Sequence, residues 1–151
     1  MPTDGFFDKI NYMNIFICCS KYFYNQIPKI RETLEKAGHT IILPNSYEQP
    51  FREEEMKKMG KREHQEWKSD KLREQIAKVK ESDAILVLNL EKNGQKNYIG
   101  GATFLEIFKA FELDKKIFLY NPIPDKPDNF LKDELLGINP LIINGDLSRI
   151  K

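Results

Sequence analysis

The chain has 151 residues, 40% hydrophobic and 31% charged, which suits one globular domain with its own core and argues against disorder. Its 24 basic and 23 acidic residues leave a net charge of +1, so no global field draws it to a nucleic-acid polymer or an anionic membrane. The two cysteines, Cys18 and Cys19, are adjacent, which excludes a disulfide framework and Cys-x-x-Cys zinc spacing.

Residues 1–12 read as a tail and 13–151 as a single domain. The tail shows no basic segment followed by an apolar stretch, and no apolar run approaches the ~20 residues of a membrane helix. A reducing, cytoplasmic setting with no membrane partner is the expectation. Met13 to Cys19 (MNIFICC) is a continuous apolar run, as in a strand buried on both faces. Residues 25–37 space Ile27, Ile30, Leu34 and Ala37 as a helix, stopped by Gly38. Residues 39–43 predict a second strand ended by Pro44. Residues 45–64 are charged and weakly periodic, and read as a surface excursion with at most a short helix. Its run REEEMKK reads most simply as a solvated face, with closure over a bound ligand as the alternative.

From Gln65 to Lys80, Leu72, Ile76 and Val79 mark a helix. Residues 83–89 predict a third strand, EKNGQKN a loop, 102–114 a helix, and 116–120 a fourth strand. A short helix near 129–136 and a fifth strand at 141–143 follow, with Asn144-Gly145-Asp146 as a turn. Strands alternating with helices imply crossover connections and a parallel sheet. The expected fold class is α/β: one doubly wound, flavodoxin-like (Rossmann-like) five-stranded sheet, order 2-1-3-4-5, with helices on both faces.

In such sheets ligands bind beyond the carboxyl ends of the strands, at the switch point between strands 1 and 3. That rule selects Ser20, Lys21 and Tyr22 after strand 1, Asn89 and the loop to Gly100 and Gly101 after strand 3, Asn121 after strand 4, and Asn144 and Asp146 after strand 5. Asp83 starts its strand at the opposite end and reads as structural. Asn89 rules out a phospho-acceptor role, because an amide cannot accept a phosphoryl group.

Thr103 and Glu106 match a capping box. The preceding Gly-Gly and the wheel position of Glu106, at the edge of a broad apolar arc containing Phe104, Ile107, Phe108 and Phe111, point instead to a carboxylate near a crevice. So placed, it is expected to stay ionised in the field of the helix N-terminus, and such a carboxylate is chemically competent as a nucleophile for an anomeric carbon. The breadth of the arc also asks for a second covering surface, such as another subunit. Trp67 reads as packing its helix onto the sheet, with stacking on a base as the alternative. His64 reads as a surface residue and Cys19 as a small buried hydrophobe.

The segments IFICCS, SDAILVLN, NYIGGATFLEIFKAFELDKKIFLYNP and NPLIINGDLSRI together resemble the nucleoside 2-deoxyribosyltransferase-like superfamily, over nearly the whole chain from Met13. The nearest likeness is to a branch with the signature NYIGG-x-T-x-x-E. The resemblance implies cleavage of an N-glycosidic bond of a nucleoside or nucleotide, by transfer or hydrolysis. It implies no metal, no cofactor, and a homodimer or larger assembly. Glu106 matches the family's nucleophile, with Thr103 three residues before it. Asn89 and Gly100 stand where the characterised transferases carry aspartates, Asn97 is the nearest polar substitute, and Phe16 replaces a common tyrosine. Asp146 is the candidate for a second carboxylate. Ser20, Lys21 and Tyr22 match the loop that binds phosphate in members acting on monophosphates. A non-catalytic nucleotide-binding or sensor module of the same fold, and a TIR-like NAD glycohydrolase, are the alternatives.

Overall fold

The computed structural model describes residues 12–125 and 131–151. Most of the expected tail, and positions 129 and 130 of the helix expected near 129–136, lie outside them. The strands are β1 (Asn14–Cys18), β2 (Thr40–Ile42), β3 (Ala84–Val87), β4 (Lys116–Leu119) and β5 (Leu141–Ile142). The helices are α1 (Ile27–Lys36), α2 (Arg52–Met59), α3 (Lys61–Glu81), α4 (Gly101–Glu112) and α5 (Lys132–Ile138). Short 3-10 turns at Lys21–Gln26 and Leu147–Arg149 complete the set. The five strands form one sheet in the order β2-β1-β3-β4-β5, with every pairing parallel. This is the doubly wound architecture that the alternation of elements implies.

Successive strand residues face opposite sides of the sheet, and the apolar runs supply a core to each. On one side Ile15, Ile17, Leu86, Leu88 and Phe118 pack with Ile27, Ile30 and Leu34 of α1. On the other, Phe16, Cys18, Ile85, Val87 and Leu119 pack with Val79 of α3, Ile107 and Ala110 of α4, and Leu135 of α5. The second side matters for the site, because it brings Cys18 of β1 under α4. At the amino-terminal edge of the sheet, the Asp83 carboxylate accepts from the Asn14 backbone N–H at 2.8 Å, a structural role.

Two segments depart from expectation. The charged stretch 45–64 is largely helical: α2 occupies its middle and α3 begins at Lys61 rather than Gln65. Gly60, with φ of +149°, makes the sharp joint between them. Apolar periodicity is absent because α2 buries no residue fully; its polar side chains are held by pairs such as Arg52–Glu55 at 2.7 Å. In EKNGQKN, Asn93 and Gly94 both take positive φ (48° and 81°), and Lys92 pairs with Gln95 across them. This is the two-residue turn that Asn-Gly favours.

α3 is 21 residues long but heavily charged, and no described helix is long and apolar enough to cross a membrane.

Candidate functional site

A cleft of about 390 Å³ opens beyond the carboxyl ends of β1, β2 and β3. The β1 loop supplies Cys19, Ser20, Lys21 and Tyr22 to its wall, and the β2 loop supplies Pro44, Asn45 and Ser46. From the β3 loop come Lys92 and Tyr98, and from the start of α4 come Gly101, Thr103 and Glu106. The remaining wall is polar helix: Glu53, Glu54 and Lys57 of α2, and Trp67, Lys68, Lys71 and Gln75 of α3. Order 2-1-3 makes the β1/β3 boundary the switch point, where crossovers leave in opposite directions and the loops part.

Glu106 reaches the cleft from inside the fold. The N-cap of α4 is Gly100, without a side-chain cap bond, so the capping-box reading of Thr103 and Glu106 does not hold. Both residues are buried, at 5% and 6% exposure, on the face of α4 turned to the sheet. Glu106 therefore lies past the first helical turn, where the field of the free N–H groups has faded. Desolvation decides its charge: burial pushes the carboxyl up to about 7. The neighbouring Gln75 amide and Cys18 thiol, and the ammonium groups of Lys78 and Lys68, pull it back only in part. The expectation of a permanently ionised carboxylate is corrected accordingly. Near neutral pH, Glu106 divides between acid and anion. Burial and the Glu106 charge in turn raise both thiols, so Cys18 and Cys19 stay protonated.

The glycine pair does not need an unusual backbone, since neither residue has positive φ. At Gly100 a Cβ would lie 3.3 Å from the Tyr98 hydroxyl, so a side chain would press on that ring. At Gly101 a Cβ would meet nothing within 4 Å, so the bare backbone borders open cleft.

The other sequence-derived candidates divide. Ser20 caps the 3-10 turn, accepting weakly from the Tyr22 N–H at 3.5 Å, and also lines the cleft. Lys21 reaches across the cleft to Glu54. Tyr22 lies beside Lys92, whose Nζ sits 4.3 Å from the Tyr22 ring centre and 4.5 Å from that of Tyr98. Asn89 does not line the cleft. It clasps the ends of β3 and β4: Nδ2 donates to the Asn121 and Pro122 carbonyls at 2.8 and 3.0 Å, and Oδ1 accepts from the Asn121 N–H at 2.8 Å. Asn97 takes left-handed backbone (φ 58°) and also lies outside the lining. Asp146 is a turn residue: its exposed carboxylate accepts from the Ser148 N–H and hydroxyl at 3.1 and 2.6 Å, away from the cleft wall.

Sequence reasoning missed Tyr98, Lys92, Asn45, Gln75 and the α2 wall. REEEMKK supplies Glu53, Glu54 and Lys57 to the cleft rather than forming a purely solvated face. Trp67 lines the cleft instead of packing α3 onto the sheet. His64 is half-buried, stacked on Trp67, with Nε2 2.9 Å from Glu53 Oε2. Cys19 is partly buried and touches the cleft. Among the described residues, no group of three His, Cys, Asp or Glu could hold a metal ion. The spacing of Trp67, Lys71 and Gln75, four residues apart on one face of α3, was a signal available in the sequence once α3 was placed.

No family model matches the sequence, and no curated protein matches it.

Proposed function

We propose that the chain cleaves the N-glycosidic bond of a nucleotide or nucleoside, with Glu106 as nucleophile. The observation that carries this reading is the Glu106 carboxyl itself, 6% exposed yet bordering the cleft at the switch point of the sheet. The anion attacks the anomeric carbon, the C–N bond breaks, and the base leaves with the bonding pair and takes up a proton. Water or another acceptor then resolves the glycosyl ester. Five lysines against three carboxylates line the cleft, which favours a phosphorylated substrate over a neutral one. Leaving-group protonation falls to Glu53, Glu54 or solvent. Each of these carboxylates is already in an ion pair, so turnover is expected to be slow.

The pairing of those acids, and the structural clasp made by Asn89, favour a second reading: a nucleotide-binding module without turnover. For assembly, α4 exposes Leu105, Phe108 and Phe111 along its outer face, and we propose that a second copy covers them.

The test is incubation with nucleosides, monophosphates and NAD, followed by chromatography for released base. Release abolished by Glu106→Ala supports the first reading. Tight binding without release, unchanged by Glu106→Gln, supports the second. An absence of binding across the panel overturns both.

A further inference from the structure

Of the lysines that line the cleft, three are already neutralised. Lys21 pairs with Glu54, Lys68 with Glu53 at 3.3 Å, and Lys71 with Glu74 at 3.2 Å. Lys57 is exposed on α2, where its charge acts on Glu53. Lys92 differs from all four. It is half-buried, and among the described residues its ammonium makes no ion pair and only a weak hydrogen bond, to the Tyr98 hydroxyl at 3.5 Å.

Two rings hold it instead. Lys92 Nζ stands 4.3 Å from the centre of the Tyr22 ring and 4.5 Å from that of Tyr98. Each ring comes from one of the two loops that flank the switch point. The mount is fixed from behind. Lys92 and Gln95 exchange backbone hydrogen bonds of 2.9 and 2.8 Å across the Asn-Gly turn, and the Tyr98 N–H donates to the Leu90 carbonyl at 2.8 Å. Phe23 packs edge-on to Tyr98, with 6.5 Å between ring centres. A ring face attracts a cation without cancelling its formal charge. An ammonium has three N–H donors, and the Tyr98 hydroxyl takes one of them. The cleft therefore presents one positioned positive charge with donors to spare, beside the Ser20 hydroxyl of the β1 loop and the bare Gly101 backbone.

We propose that Lys92, gripped between Tyr22 and Tyr98, is the docking point for the phosphate of a nucleoside monophosphate, in place of the Lys21 that the resemblance suggests. This deepens the nucleotide reading above and rests on it. Lys21 must release Glu54 before it can meet a phosphate, whereas Lys92 has no carboxylate to give up.

Titration calorimetry of the full chain with matched pairs, each a nucleoside and its 5′-monophosphate, reads the contribution of the phosphate over purine and pyrimidine bases and both sugars. The monophosphate is expected to bind about 10-fold or more tightly than its nucleoside, and Lys92→Met, which keeps the apolar stem, to cut that ratio to under about 3-fold. Lys21→Met is expected to lower the ratio less. A ratio that survives Lys92→Met means that the cation only packs between the rings, and overturns the assignment. A larger fall in Lys21→Met places the phosphate on the β1 loop and overturns it too. Equal binding of nucleoside and monophosphate by the wild-type chain also overturns it, while base release on chromatography keeps the glycosidase reading standing. No binding and no release across the panel removes both. Should Lys92→Met fail to fold, acetylation of the wild-type chain decides by peptide mass spectrometry. Bound monophosphate is expected to shield Lys92 from the reagent more than Lys21, and labelling of Lys92 that the nucleotide does not change overturns the assignment.

Discussion

Replacing Glu106 by Gln gives the sharpest quantitative test of the buried carboxyl. Burial raises this group from 4.5 to about 7 in the folded chain. An acid whose folded value is raised contributes stability below its unfolded value and loses it as pH climbs through the folded one. Between the two values the folded chain holds a proton that the unfolded chain has released, and stability falls by about 1.4 kcal/mol per pH unit. Integrated from pH 5 to pH 8, the loss from this one group is about 2.5 kcal/mol. The amide that replaces it in the variant does not titrate. The difference in unfolding free energy between Glu106→Gln and wild type should therefore move by about 2.5 kcal/mol in favour of the variant over that interval. Urea denaturation at pH 5, 6, 7 and 8 measures it. A difference that stays flat across the interval would mean that the carboxyl titrates at its ordinary value, and that desolvation does not govern it.

If the anion is the nucleophile, base release should rise with pH through a limb near 7, and a falling limb there would assign Glu106 the role of proton donor instead. Asn89→Asp should lower stability by about 2–4 kcal/mol in a denaturant titration, since it sets a carboxylate against the carbonyls of Asn121 and Pro122. The same variant should not raise base release, and a gain would show that position 89 works in the site. Phe108→Glu should convert a multimer to single chains by light scattering, because it places a charge on the exposed ridge of α4. A wild-type chain already single in solution refutes the association.

The sheet was readable because each strand is a short apolar run buried on both faces, such as Ile15, Phe16 and Ile17 in β1 and the fully buried Ala84–Val87 of β3. The connection rules gave a parallel sheet, and the order 2-1-3-4-5 came from matching five alternating strands to the flavodoxin-like pattern. The position of Glu106 was readable as an apolar arc, but its state was not. Only the location of the N-cap at Gly100 shows that the helix field is spent before the carboxylate is reached. The wheel also misplaced the buried face. Thr103, Glu106, Ile107 and Ala110 turn inward, while Phe108 and Phe111, expected with Ile107, are about half exposed. A helix apolar on both sides offers no contrast from which to choose. The α2 wall escaped because a segment lining a polar cleft carries charge where a core-facing helix would carry leucine. Asp146 and Asn89 were reached by a rule about strand ends, which names the neighbourhood of a site. It cannot tell a ligand contact from the hydrogen bonds that finish a turn or join two strands.

The helix that carries Glu106 has two working sides. Its inner side sets the acid against Cys18 and Gln75, and its outer side bears Leu105, Phe108 and Phe111. Twelve residues of rigid rod connect them. Were a neighbouring molecule to press on the outer side, even a slight tilt would be transmitted to the carboxylate without any intervening loop to absorb it. Turnover would then depend on protein concentration, and dilution would slow each molecule as well as separating it from its neighbour.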